Sequence, residues 1–212
     1  MLAKPSFITF TKIPFWIKAL DVPAQLILFS VPSLIYFISQ TRRGEEWRSI
    51  LRNLGLKECN GAFYLESVGV ASAVGALMWL VLRMVPSSVL ENPNVSVSAY
   101  AGWTLSPSSF MYALLREALY VALGEEILFR GLLGGHLERR YGFMKGNTIQ
   151  AFIFLLPHLL LLLVNLSFWA VVTVQFLAGW ALGWLRSRSG SILPGWLAHS
   201  LMNALGALSA MR

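Results

Sequence analysis

The sequence predicts an all-α fold, a polytopic membrane helix bundle of about six transmembrane helices. Hydrophobic residues make up 56% of the 212 positions and charged residues only 13%, whereas about a quarter of an average globular chain is charged. The apolar segments approach the ~20 residues that a helix needs to cross ~30 Å of hydrocarbon. The alternating pattern of a β-barrel is absent, and backbone groups in lipid must bond within their own segment.

Six apolar segments are the predicted spans: Val22–Ser39, Phe63–Val85, Ser109–Gly135, Asn147–Val164, Phe168–Leu185 and Ser191–Ala210. We expect three regions from this division. Residues 1–21 form an amphipathic amino-terminal segment, residues 22–108 hold two accessory transmembrane helices and their loops, and residues 109–212 hold a core of four transmembrane helices.

Linkers that contain basic residues alternate along the chain with linkers that contain none. Positions 86–108 contain no Lys or Arg, and neither do positions 165–167, whereas the other three linkers between spans contain Arg42, Arg43, Arg48, Arg52 and Lys57, then Arg139, Arg140 and Lys145, then Arg186 and Arg188. The positive-inside rule therefore predicts that the basic linkers are cytoplasmic and that the chain is a multi-pass protein of the cell (inner) membrane. The same distribution accounts for the net charge of +7 without a nucleic-acid partner.

The amino terminus does not fit this alternation. Strict alternation would place it outside the cell, yet it carries the basic residues Lys4, Lys12 and Lys18. Either this segment lies on the membrane surface as an amphipathic helix, or residues 22–39 do not fully span. The single cysteine, Cys59, excludes an intrachain disulfide and a cysteine-based metal site.

The third span carries five charged residues: Arg116, Glu117, Glu125, Glu126 and Arg130. Each ionised group near the bilayer centre costs at least ~2.5–3.5 kcal/mol, so the cluster must be compensated. Glu126 and Arg130 are four apart and can pair on one helical face. Arg116 and Glu117 lie near the outer end, and we expect a structural role for them. Glu125 has no cationic neighbour on its own helical face and needs a partner from elsewhere.

Two histidines, His158 and His199, lie inside apolar segments. A single histidine in such a helix is usually a packed residue. At 1.5 Å per residue, however, Glu125, His158 and His199 lie about 15, 16 and 12 Å from the same side of the membrane. Asn203 follows His199 by one turn on the same face. Three helices thus carry a carboxylate, two imidazoles and an amide at one depth.

Such a set predicts hydrolytic chemistry. A glutamate removed from bulk water suits the role of general base, and imidazole and amide groups can donate hydrogen bonds to an oxyanion. Alternatively, Glu125, His158 and His199 could bind zinc and leave a position open for water. There is no HExxH motif, so the usual arrangement on a single helix is excluded.

Three ordered motifs resemble those of the CAAX prenyl protease type II and bacteriocin-processing (CPBP, or Abi) family of intramembrane proteases. Glu125-Glu126-Ile-Leu-Phe-Arg130 matches the family's EExxxR, Phe154-Leu-Leu-Pro-His158 its FxxxH, and His199-Ser-Leu-Met-Asn203 its HxxxN. The resemblance covers roughly residues 109–210.

The resemblance implies that Glu125 with His158 activates water, while His199 and Asn203 form the oxyanion site. It also implies that Glu126 and Arg130 shape the site and that Phe154 helps to wall it. The four carboxy-terminal helices would then be the catalytic core. No cofactor is favoured by the resemblance, although a zinc-dependent version stays open. One departure is Pro157, which should kink the helix beside His158 or free a carbonyl.

The expected activity is endoproteolysis of a membrane-embedded or membrane-anchored protein or peptide, near its carboxyl terminus, with the lipid bilayer as the other partner. A second interpretation is a non-proteolytic immunity or scaffold protein that has kept the motifs. A third is a small transporter or proton relay, which buried Glu and His would also suit. The sequence leaves the substrate, the metal dependence and the oligomeric state open.

Overall fold

The computed structural model describes residues 15–211, and the side chains from Ala24 onward. This part of the chain contains helices and turns but no strand, which confirms the all-α class. The long helices are α1 (Phe15–Arg42), α3 (Ala62–Leu82), α7 (Gly135–His158), α9 (Trp169–Ser189) and α10 (Leu193–Ala207). The shorter helices are α2 (Trp47–Asn53), α4 (Ser87–Leu90), α5 (Pro107–Arg116), α6 (Leu123–Glu125) and α8 (Leu161–Val164), with 3₁₀ turns at Ser96–Tyr100 and Leu166–Phe168.

Four helical stretches within the described residues are long and apolar enough to cross a membrane: Ala24–Arg42, Ala62–Leu82, Pro107–Val164 and Leu166–Ser189. The third has 58 residues and contains two of the six predicted spans. The last predicted span forms α10, whose 15 residues rise only ~22 Å. The polytopic bundle is therefore confirmed, while α10 is shorter than a full span.

A break at Gly142 divides the longest stretch. The backbone there has φ 75° and ψ 168°, a conformation that glycine adopts without the steric penalty of a Cβ atom. A Cβ added at Gly146 would lie 2.7 Å from the backbone of Leu137 and Glu138, so the chain on either side of the break is tightly apposed. The second half of α7 consequently packs back along the segment Glu126–Gly134.

Two π-helical segments, Glu117–Ala122 and Glu126–Gly134, flank α6. Such segments take one more residue per hydrogen-bonded turn and are frequent at functional sites. In a regular α-helix Glu117 and Glu125 would point about 80° apart. The wider turns bring them closer to one face, and both line the same cavity. We call the continuous run from α5 through Gly134 the acidic helix.

The core lies where α3, α9 and α10 meet, and small side chains hold these helices close together. Its buried members are Ala71, Ala178, Leu182, Leu185, Ala198 and Met202. On α3, a Cβ added at Gly75 would lie 2.9 Å from the side chain of Leu205. Small residues at such interfaces let membrane helices approach closely. The large exposed side chains, such as Ile27, Leu28 and Leu65, face outward, as expected in lipid.

Helix α1 has 28 residues, and its segment Ala24–Arg42 is apolar enough to span, so the prediction of a span over residues 22–39 agrees with the structure. Of the predicted amphipathic segment, residues 1–14 lie outside the described residues. Only 6% of the spanning segment of α1 is buried. It packs mainly on the acidic helix, and this contact brings α1 to the site.

Candidate active site

All four predicted catalytic side chains line one cavity of about 550 Å³. Glu125 comes from the acidic helix, His158 from the end of α7, and His199 and Asn203 from successive turns of α10. Phe154, which is fully buried, also lines it. The rest of the wall is mostly apolar, from α1, α3, α9 and the 3₁₀ turn at Ser96–Tyr100. The four side chains that were predicted to lie at one depth in the membrane therefore meet in one cavity.

His199 lies between the two neighbouring carboxylates. Its Nδ1 is 2.9 Å from Glu126 Oε1, and its Nε2 is 3.7 Å from Glu125 Oε2. The first distance is a hydrogen bond and the second is longer than one. His199 is only 5% exposed and Glu126 is 0% exposed. Glu126 thus fixes the ring, and the Nε2 edge is left facing the cavity beside Glu125.

The predicted pair of Glu126 and Arg130 is confirmed at 2.9 Å between Glu126 Oε1 and Arg130 Nη1, with both side chains 0% exposed. The Arg130 guanidinium also stacks over the Phe154 ring at 4.1 Å and donates to the Gly179 carbonyl at 3.4 Å. A buried ion pair with these further contacts holds the charge of Glu126 in place.

His158 is oriented by its own helix, since its Nδ1 lies 2.8 Å from the Phe154 carbonyl oxygen. A carbonyl can only accept, so Nδ1 carries the hydrogen and a neutral ring has its lone pair on Nε2. Pro157 does not interrupt α7, which continues through it and ends at His158. The lone pair of Nε2 remains available to the cavity that His158 lines.

Asn203 belongs to a second polar cluster, which the sequence did not connect to the site. Its Nδ2 donates to Glu117 Oε2 at 3.5 Å, and Glu117 Oε1 accepts from the Tyr100 hydroxyl and from Arg116 Nη1, both at 2.6 Å. Burial, and then the adjacent carboxylate of Glu117, raise the pKa of Tyr100, so its hydroxyl stays protonated and donates. Arg116 and Glu117, for which a structural role was expected, both line the cavity.

The partner that Glu125 needed comes from α1, outside the predicted catalytic core. Gln25 Nε2 donates to Glu125 Oε1 at 2.9 Å. Sequence reasoning missed this residue, although a single amide inside the apolar run from Val22 to Ser39 was a usable signal, because polar groups in membrane helices are costly.

The zinc alternative requires a group of ligands that the described part of the chain does not form. Among these residues, no three His, Cys, Asp or Glu side chains are grouped so that they could hold a metal ion. Glu125 and His199 are close, but Glu125 Oε1 already accepts from Gln25. The donor set thus does not fit the zinc site of Glu125, His158 and His199, and we derive no step through a metal.

The cavity is lined by groups that could carry out hydrolysis. They are a carboxylate oxygen of Glu125, the lone pair on His158 Nε2, and hydrogen-bond donors on His199 and Asn203. Among the described residues, Glu125 Oε2 has no hydrogen-bond partner. Such an oxygen can accept a proton from water, while donors on His199 and Asn203 can stabilise developing negative charge.

Comparison with known proteins supports the resemblance found in the motifs. Residues 107–205 match the family model described as type II CAAX prenyl endopeptidase Rce1-like, which confirms the family resemblance over this part of the chain. The matched family is one of CAAX-type membrane endopeptidases. Neither the curated proteins nor the solved structures contain a match.

Proposed function

We propose that this chain, which carries the Rce1-like match over residues 107–205, is an intramembrane endopeptidase. It hydrolyses a peptide bond near the carboxyl terminus of a membrane-embedded or membrane-anchored protein or peptide. The observation that carries the proposal is the approach of Glu125 Oε2 to within 3.7 Å of His199 Nε2 at the wall of a largely apolar cavity.

Glu125 is the proposed general base. It takes a proton from a water molecule that Nε2 of His158 orients, and the resulting hydroxide attacks the carbonyl carbon. The C–N bond then breaks, and the proton held by Glu125 passes to the leaving amine. General-base assistance of this kind contributes about 10²–10⁴-fold, and it works best where bulk water is excluded.

The oxyanion of the tetrahedral intermediate is stabilised from α10. In its imidazolium form, His199 donates a hydrogen bond from Nε2 to the oxyanion, while Glu126 accepts the hydrogen bond from His199 Nδ1. Asn203 has two amide hydrogens; one points to Glu117 and the other is left for the oxyanion. Fixed donors at such a position contribute about 10²–10³-fold each.

The direct test is reconstitution of the full chain in proteoliposomes with peptides that have an apolar carboxy-terminal segment between a fluorophore and a quencher. We expect fluorescence to rise, and in ¹⁸O-labelled water the new carboxyl terminus should gain one labelled oxygen. Proton or ion flux across the same vesicles without any cleavage would contradict the proposal and favour the relay interpretation.

Chelation is a further prediction. Because the described acidic and imidazole groups do not form a metal-binding set, we expect cleavage to continue unchanged after prolonged treatment with EDTA or 1,10-phenanthroline. Elemental analysis of the same purified sample supplies the control. Loss of activity on chelation, with recovery on adding zinc, would contradict the metal-free mechanism.

A further inference from the structure

Helix α1 contributes the polar side chain of Gln25 to the site. Gln25 lines the cavity, and its amide donates to Glu125 Oε1 at 2.9 Å. Position 25 lies well before the matched segment, which begins at residue 107. The carboxylate at the centre of the proposed mechanism is therefore held by a helix outside the family match.

This bond makes the two oxygens of Glu125 different. Oε1 accepts from Gln25, while Oε2 has no hydrogen-bond partner among the described residues and faces His199. A carboxylate fixed at one oxygen loses rotational freedom about its last torsion, which is otherwise broad. The free oxygen is then presented to the cavity in one orientation.

The placement of Gln25 depends on close packing between α1 and the acidic helix. A Cβ added at Gly124 would lie 3.1 Å from Leu26 Cα, so the missing side chain at Gly124 lets α1 lie directly beside Glu125. Two turns further along α1, the Ser33 hydroxyl donates to the Ile127 carbonyl at 3.3 Å. Phe29, between these contacts, packs its ring 5.6 Å from that of Phe129.

We propose that Gln25 is a positioning residue that orients the Glu125 carboxylate for proton abstraction, so that α1 completes the active site. The inference rests on the proposed function, since it assigns Gln25 a role through Glu125. A purely structural Gln25 would stabilise the contact between α1 and the acidic helix and nothing more.

The experiment compares three single variants in the proteoliposome assay. Gln25→Met keeps the length and removes the donor. Gln40→Met makes the same change on the same helix at a position that does not line the cavity. Ser33→Ala removes a second side-chain bond between α1 and the acidic helix. We expect kcat of Gln25→Met to fall about 10- to 100-fold, because small misplacements of reacting groups cause losses of this size. KM should stay unchanged. Both other variants should match the wild type.

A double-mutant cycle with Glu125→Gln completes the test. Because Gln25 acts through Glu125, adding Gln25→Met to Glu125→Gln should not lower the residual activity further. A Gln25→Met variant with wild-type kcat would overturn the positioning role, and so would an equal loss in Ser33→Ala. If Glu125→Gln itself cleaves at the wild-type rate, the proposed mechanism fails and the role of Gln25 fails with it.

Discussion

Glu125→Gln is expected to lower kcat by about 10²–10⁴-fold, the contribution of a general base. The amide cannot take a proton from water, but its oxygen can still accept the hydrogen bond that Gln25 donates to Glu125 Oε1. The packing around position 125 therefore remains, and the loss can be assigned to chemistry. The measurement is kcat with the quenched peptides in proteoliposomes, alongside the thermal unfolding midpoint of the purified variant.

Glu66→Gln is a matched control for this change. Glu66 pairs with Arg188 at 3.0 Å with side chains 30% and 51% exposed, and such an exposed pair contributes only about 0–1 kcal/mol. This variant should cleave at the wild-type rate. Full activity in Glu125→Gln together with loss in Glu126→Gln would assign the base to the neighbouring carboxylate and contradict the mechanism proposed above.

The depth of the site could be predicted from sequence because each residue of a helix adds a fixed rise. Glu125, His158 and His199 were expected at one level, and all three line the same cavity. The pair of Glu126 with Arg130 was readable for a similar reason, since residues four apart share a helical face. Both inferences need only local geometry.

The contribution of α1 and of the 3₁₀ turn could not be predicted in the same way. Which face of α1 meets the acidic helix depends on how the two pack, so the pairing of Gln25 with Glu125 follows from tertiary contacts. Tyr100 reaches Glu117 from the short 3₁₀ turn at Ser96–Tyr100, whose position relative to the acidic helix depends on tertiary packing. The π-helical segments also shift the direction of Glu117 relative to an ideal helix.

Arg130→Met is expected to produce the largest loss of stability. The guanidinium is 0% exposed and lies 2.9 Å from Glu126 Oε1, so its removal leaves a buried carboxylate without its counter-charge. Breaking a buried pair from one side costs about 3–5 kcal/mol. The thermal unfolding midpoint in detergent should fall sharply and cleavage should be lost. Arg188→Met, which breaks the exposed pair with Glu66, is the control and should change the midpoint little.

The double variant Glu126→Gln/Arg130→Met separates charge from packing. Replacing both members of a buried pair by neutral groups is often far less costly than removing one, because no uncompensated charge remains. The midpoint should therefore recover much of what Arg130→Met loses. Cleavage should stay low, because His199 would lose the carboxylate that holds its Nδ1 at 2.9 Å. A double variant no more stable than Arg130→Met would show instead that Arg130 acts through its stacking on Phe154, and the electrostatic account of this buried pair would be wrong.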